Sequence, residues 1–332
     1  MKDMPCLPTR LRRLRHLPVI RELVQETFIQ PTDLILPLFI KAGIKNNEPI
    51  SSMPGHFQFA LQGLTKEIKE IKSLGLNAIM IFGVPEKKDA LGSDSFSDHG
   101  IMQQAIKIIK DTEPELLVIS DICLCQYTSH GHCGFINDKT GRPDIDNDKT
   151  LALLQKQVIS HAKAGTDMLA PSGMIDGMIA AIRNALDEEG FEHLPTLSYS
   201  VKYASSMYGP FREATEGAPK FGDRKTHQID PANGDIAFRE AALDLEEGAD
   251  MLMVKPAHTY LDVIYRLKQA YPGVPLGAYH PSGEFAMIKA AAEKGWLDEK
   301  KAALEVLTSI KRAGADFILT YFAKQFCKWY QD

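Results

Sequence analysis

No apolar run in this chain of 332 residues is long enough to span a bilayer. Its first residues are polar and broken by prolines, unlike a secretory leader. Neither sign of charge is in large excess. The formal net charge is -5, and mild acidity argues against a general nucleic-acid surface. Cysteines are few and odd in number, five in all, which does not suggest a disulfide framework. No Gly-x-Gly-x-x-Gly turn follows the first strand candidate, which weakens a dinucleotide-binding sheet. The composition is that of an ordinary soluble globular protein, expected in the cytoplasm, with no membrane or nucleic-acid partner.

What is present is a repeated theme. Apolar runs at Leu34–Ile40, Leu76–Gly83, Leu116–Leu124, Asp167–Ser172, Thr196–Ala204, Asp250–Pro256, Pro275–His280 and Phe317–Ala323 read as eight buried strands. Helical patterns lie between them, among them Leu64–Ser73, Thr150–Ala164, Met174–Glu188, Asp235–Glu247, Thr259–Ala270 and Lys300–Arg312. Gly75-Leu76-Asn77, Gly165-Thr166-Asp167, Gly248-Ala249-Asp250 and Gly314-Ala315-Asp316 each precede a strand. A glycine just past a helix can take the left-handed conformation that closes it. This alternation predicts an α/β fold, a (β/α)8 TIM barrel, over residues 34–332. Residues 1–33 form an N-terminal arm. Its cluster Arg10, Arg12, Arg13, Arg15, His16 and Arg21 suits either an arm docked on a neighbouring subunit or a solvated basic tail.

In such a barrel the chemistry sits at the strands' C-terminal ends. Asp121, Cys123 and Cys125 fall there after the third strand and Ser172 after the fourth. Lys202 lies on the fifth, Lys255 on the sixth, Ser282 after the seventh and Tyr321 on the eighth. In Met251–Pro256, MLMVKP, Pro256 should end the strand near Lys255. Alone, this lysine reads as a snorkelling or ion-paired strand end before it reads as a Schiff-base amine. Lys202 on the adjacent strand changes that. Two ammonium groups side by side in a dry mouth disfavour each other's charge, and a neutral amine can attack a ketone or aldehyde. Cys123 and Cys125, two apart, would face the same way in extended backbone, and the glycines at 131 and 134 let Cys133 return to them. Three thiolates suit zinc with one open position, whereas His130 or His132 as a fourth ligand would close the site. A disulfide is the other reading and needs an oxidising compartment. The stretch from about 205 to 234 is too long for an ordinary connection and reads as an active-site lid or as a solvated excursion. It carries Phe211, Arg212, Lys220, Arg224 and Gln228, and guanidinium groups over a barrel mouth suit a carboxylate or phosphate.

The segments DICLCQYTSHGHCG, LAPSGMIDG, SYSVKYASSMYGPFR, ADMLMVKPA and SGEFAM resemble the 5-aminolevulinate dehydratase (porphobilinogen synthase) family, and the resemblance extends over nearly the whole chain. It implies a barrel with an N-terminal arm, a homo-octamer, and condensation of two 5-aminolevulinate molecules into porphobilinogen for tetrapyrrole (haem) synthesis. It also implies roles. Lys255 and Lys202 would form the Schiff bases, Lys255 with the substrate that supplies the propionate side and Lys202 with the one that supplies the acetate side. Cys123, Cys125 and Cys133 would hold zinc, with His130 and His132 outside the first shell. Arg212 and Arg224, with Gln228 nearby, would clamp the carboxylate of the substrate on Lys202. Ser282 and Tyr321 would bind the other carboxylate, and Asp121, Ser172, Tyr199, Phe211 and Tyr279 would line the pocket. Keeping all three cysteines implies the zinc-dependent type. Glu240 matches the glutamate of an allosteric magnesium site, although it also reads as an exposed helix carboxylate. The residues His280-Pro281 before Ser282 depart from the expected pattern. Cys6 and Cys327 receive no role.

Overall fold

The computed structural model describes residues 7–331; Cys6 and the rest of the first six residues lie outside it, as does Asp332. The eight barrel strands are β1 (Leu34–Lys41), β2 (Ala78–Val84), β3 (Leu117–Ile122), β4 (Met168–Pro171), β5 (Leu197–Lys202), β6 (Met251–Lys255), β7 (Leu276–His280) and β8 (Phe317–Thr320). Hydrogen bonding runs in the order β4-β3-β2-β1-β8-β7-β6-β5, all parallel. A parallel bridge between Leu169 and Thr196 brings β4 to β5 and closes the cylinder. The strands are buried on both faces because side chains fill the inside and helices cover the outside, hence their continuous apolar character.

The covering helices are α1 (Leu61–Ser73), α2 (Ile101–Thr112), α3 (Asn147–Ala164), α4 (Met178–Glu188), α5 (Ile236–Glu246), α6 (Leu261–Ala270), α7 (Ser282–Glu293), α8 (Glu299–Arg312) and α9 (Ala323–Gln331). Each buries one stripe; in α1 it is Leu64, Ile68 and Ile71. Asp146 and Asp298 cap α3 and α8 by accepting from Lys149 N and Lys301 N. The glycines at 75, 165, 248 and 314 all have positive φ, from 83° to 115°, as the repeated Gly-x-Asp or Gly-x-Asn turn requires. The aspartates of that turn have a shared task. Asp167, Asp250 and Asp316 accept from the backbone N–H of Val118, Thr196 and Leu276, at 2.8, 2.7 and 2.7 Å. Carboxylates at the foot of β4, β6 and β8 thus satisfy donors on the strands beside them, which ties the barrel's N-terminal face together.

Before the barrel, residues 7–33 form a short 3-10 turn (Leu11–Arg15), a helical turn (Pro18–Leu23) and an extended stretch, and they leave Leu11, Val19 and Leu23 exposed. No helix among the described residues is long and apolar enough to cross a membrane.

Candidate active site

Strands β5 and β6 pair so that Lys202 and Lys255 are direct cross-strand partners. Regular alternation would not achieve this. Tyr199 and Lys202 are three residues apart and should face opposite sides of the strand. Register shifts between Leu252 and Val254, so β5 carries one extra residue there. This bulge turns Lys202 back to the face of Tyr199, whose ring lies 5.6 Å from Lys202 Nζ and 5.4 Å from Lys255 Nζ. Both lysines are buried. Lys202 Nζ donates to Ser172 O at 2.5 Å. Lys255 Nζ sits among aromatic faces, 3.9 Å from the Tyr279 ring centre, 4.7 Å from Phe211 and 5.0 Å from Tyr208. Burial, and then the neighbouring Lys202 charge, hold the Lys255 amine well below the ordinary lysine range. A neutral amine is a nucleophile toward a carbonyl carbon.

The three cysteines converge beside the lysines, by a route other than extended backbone. Strand β3 ends at Ile122, and the chain turns at once, with Tyr127 N and Thr128 N both donating to Leu124 O at 2.9 Å. That turn folds Cys125 back until its Sγ is 3.3 Å from Cys123 Sγ. Cys133 completes the group, with all three sulfurs within 4.8 Å of one another and buried. Among the described residues this is the group of three or more side chains able to hold a metal ion. The two histidines are engaged elsewhere. His130 Nε2 lies 3.3 Å from Ala90 O and its Nδ1 accepts from His132 N, while His132 Nε2 lies 2.9 Å from Phe221 O. The four described cysteines are free thiols. Hydrogen bonds from Cys123 and Cys133, with the Arg224 and Lys202 charges, hold the Cys125 thiol well below its ordinary value. Three soft sulfur donors, one of them already inclined to ionise, fit a thiophilic ion with a fourth position left open.

The segment from 205 to 234 lies across this mouth. Its first part is helical, Ser206–Tyr208 and then Gly209–Ala214, and the remainder is irregular. It is tied down by the loops after β1, β2 and β3. Gln58 Nε2 donates to Ala214 O at 2.8 Å, and Lys88 Nζ donates to Glu216 O at 2.7 Å. Arg224 donates to Gly131 O and Gly217 O at 2.8 and 2.6 Å. At its end, Ile229 N donates to Lys202 O and returns the chain to β5. Arg224 and Gln228 are buried, and Arg224 Nε, Arg212 Nε and both amide atoms of Gln228 have no hydrogen-bond partner. Neither arginine forms an ion pair among the described residues. Burial opposes the Arg224 charge, but the nearby thiols more than offset this and keep it cationic. Even with Lys255 neutral, Lys202, Arg212 and Arg224 therefore face a single carboxyl, Asp121, and the thiols. The surplus of positive charge suits anionic ligands.

Asp121 is buried, accepts from Gln126 Nε2 at 3.0 Å, and is pushed up to about 6 by burial. On the other side of the mouth Tyr279 and Tyr321 share a hydrogen bond of 2.8 Å between their hydroxyls, and both are buried. Ser282 opens α7, and its Oγ accepts from Phe211 N at 2.8 Å, which leaves its own proton free to donate. These residues therefore gather with the lysines. Glu240 does not: it lies half-buried on α5, in a 270 Å³ pocket that also includes Asp144, Asp176 and His227. Phe39, Phe82 and Tyr208 escaped the sequence reading. Phe39 and Phe82 pack against Phe211 at 5.7 and 5.0 Å, and Tyr208 Oη donates to Lys255 O at 3.1 Å. Their positions near the ends of β1 and β2 were the available signal for the two phenylalanines.

Comparison with known proteins places this geometry in context. Residues 8–329 match the family model described as delta-aminolevulinic acid dehydratase. The chain is 54% identical over 320 residues to delta-aminolevulinic acid dehydratase of Halalkalibacterium halodurans, which covers 96% of each chain. It is 49% identical to that of Bacillus subtilis, over 96% of this chain and 97% of the other. The crystal structure of the Toxoplasma gondii enzyme in complex with its product porphobilinogen superposes with a TM-score of 0.94 at 45% identity, over 97% of this chain and 92% of that one.

Proposed function

The chain belongs to the delta-aminolevulinic acid dehydratase family, and from that premise we propose how its barrel mouth condenses two molecules of 5-aminolevulinate into porphobilinogen with loss of two waters. The observation that carries the reading is the in-register pair Lys202 and Lys255 under a lid whose Arg212 and Arg224 form no ion pair among the described residues and leave Nε unbonded. Lys255, neutral among its aromatic neighbours, attacks the ketone of one substrate; water leaves and an imine forms. Lys202 does the same to the second substrate. Deprotonation beside an imine gives an enamine; a carbon–carbon and a carbon–nitrogen bond form between substrates already held in contact, and each lysine leaves as its free amine as the ring closes and aromatises, so much of the acceleration is proximity. The two substrate carboxylates match the charge surplus. Arg212, Arg224 and Gln228 take one, and the hydroxyls of Ser282 and Tyr321 take the other. Asp121, Ser172, Tyr199, Phe211 and Tyr279 line the pocket, and the 205–234 lid excludes water. Cys123, Cys125 and Cys133 would hold zinc, which supplies a Lewis acid beside the substrate on Lys202.

Three further features belong to this reading. The exposed apolar residues of the arm suit burial against a second copy, as in an octamer. Glu240 suits a magnesium ion that keeps most of its waters, since such an ion needs one or two carboxylates. A cytoplasmic setting fits the free thiols. Conversion of 5-aminolevulinate to a pyrrole by the purified, metal-loaded protein tests the function. We expect turnover by the wild type and none by Lys255→Met; a wild type that forms no pyrrole would contradict the proposal.

A further inference from the structure

Glu284 is a buried carboxylate that the mechanism above does not use. It stands at the third position of α7 with 1% of its surface exposed. Glutamate is rarely buried without a cation, yet Glu284 forms no ion pair among the described residues. Its partners are the donors of the segment that follows Lys255. Oε2 accepts from His258 N at 3.1 Å, and Oε1 accepts from Thr259 N at 3.0 Å and from Thr259 Oγ1 at 3.2 Å. The carboxylate thus takes two backbone donors of the 3-10 turn His258–Tyr260, which begins three residues after Lys255. Burial raises its pKa to about 7, so keeping this group costs stability, and an amide or an apolar residue would be cheaper to bury.

The two residues before it act on the other flank of the same amine. Ser282 Oγ accepts from Phe211 N, and the Phe211 ring lies 4.7 Å from Lys255 Nζ. A side chain at Gly283 would meet Met207 O at 2.6 Å and Met207 Cα at 2.7 Å, so only glycine lets α7 approach the lid so closely. Lys255 O itself is held by Tyr203 N, just past β5, and by Tyr208 Oη from the lid. The turn after Lys255 meets the end of β5 through the stacked rings of Tyr260 and Tyr203, whose centres are 4.1 Å apart, while its backbone donors at His258 and Thr259 rest on Glu284.

We propose that Glu284 is a positioning residue for Lys255, its carboxylate fixing the His258–Thr259 turn so that the amine stays under the ring that Ser282 holds in place. The inference rests on the reading of Lys255 as an imine-forming lysine. Its test uses the full-length, metal-loaded enzyme with 5-aminolevulinate and borohydride, and the rate of adduct formation is read separately at each lysine by peptide mass mapping. In Glu284→Gln an amide N–H would face backbone donors and the turn would shift. A misplacement of about 1 Å costs on the order of a hundredfold in rate, so trapping at Lys255 should slow by about ten- to a hundredfold. Trapping at Lys202 should stay within about twofold of wild type. Thr259→Val, which removes one of the three bonds and keeps the carboxylate, should slow Lys255 alone, by about threefold; it carries the test should Glu284→Gln not fold. Equal slowing at both lysines, or wild-type trapping at Lys255 in the soluble variants, would overturn the inference. Absence of any adduct at Lys255 in the wild type would instead refute the reading of the site.

Discussion

Gly131→Ala should uncouple the lid from the loop that carries the cysteines. Gly131 has φ of +74°, and a Cβ built there would lie 2.2 Å from Ala218 O and 2.8 Å from Ala218 C. Both neighbours are backbone, so neither can swing aside, and carbon contacts normally begin at about 3.5 Å. The two loops must part by about 1 Å, which breaks the bond from Arg224 to Gly131 O and strains the one to Gly217 O. Left-handed backbone costs alanine roughly 1–2 kcal/mol. A lost hydrogen bond to a charged group costs roughly 1.5–3 kcal/mol. A loss of about 3 kcal/mol at the carboxylate clamp corresponds to on the order of a hundredfold in affinity. Steady-state kinetics with 5-aminolevulinate should therefore show KM raised by about that factor with a smaller change in kcat. Gly141→Ala is the control, because Gly141 has φ of +82° and nothing within 4 Å of its built Cβ; it carries the strain without the clash. A Gly131→Ala enzyme whose KM matches that of Gly141→Ala would refute the argument that lid and cysteine loop act as one clamp.

Cys133→Ser should lose bound zinc by elemental analysis, and with it pyrrole formation; full zinc in the variant would remove Cys133 from the ligand set. Burial pushes the Asp244 carboxyl from 3.8 up to about 7, so the folded protein keeps a proton that the unfolded chain releases between those values. Stability from this group is greatest below about pH 4 and falls as pH rises to 7. Asp244→Asn keeps an acceptor for Ser198 Oγ and should raise Tm by a few degrees at pH 8 and hardly at all at pH 4; an equal change at both would sink the assignment. A truncation lacking residues 1–31 should sediment as a smaller assembly than the full chain; an unchanged octamer would contradict the arm's role.

The architecture was legible because four of the βα units repeat a physical device. A glycine closes the helix, an acid or amide turns the chain, and a buried run follows. Gly165-Thr166-Asp167 and Gly314-Ala315-Asp316 do this in the structure as the pattern implies. Which residues meet at the mouth was legible as far as strand ends reveal it. The β5 bulge was not, since no residue type demands it, and simple alternation would have sent either Tyr199 or Lys202 outward. The cysteines meet through a tight turn after Ile122 rather than along a strand, because Leu124 O takes two backbone donors. His130 and His132 could not be separated from the metal by spacing alone; their ring nitrogens are used by Ala90 O and Phe221 O, residues far off in sequence. For the same reason the motif Ser282-Gly283-Glu284 could suggest a hydroxyl near substrate but not a carboxylate that braces the lysine loop.

The central claim is that two lysines, one on each of two adjacent strands, each hold a substrate. Borohydride reduction of the metal-loaded enzyme in the presence of 5-aminolevulinate, followed by peptide mass mapping, tests it most directly. Reduced adducts are expected on the peptides that carry Lys202 and Lys255 and on no other lysine peptide. Pyrrole formed at the wild-type rate with neither lysine ever trapped would contradict it.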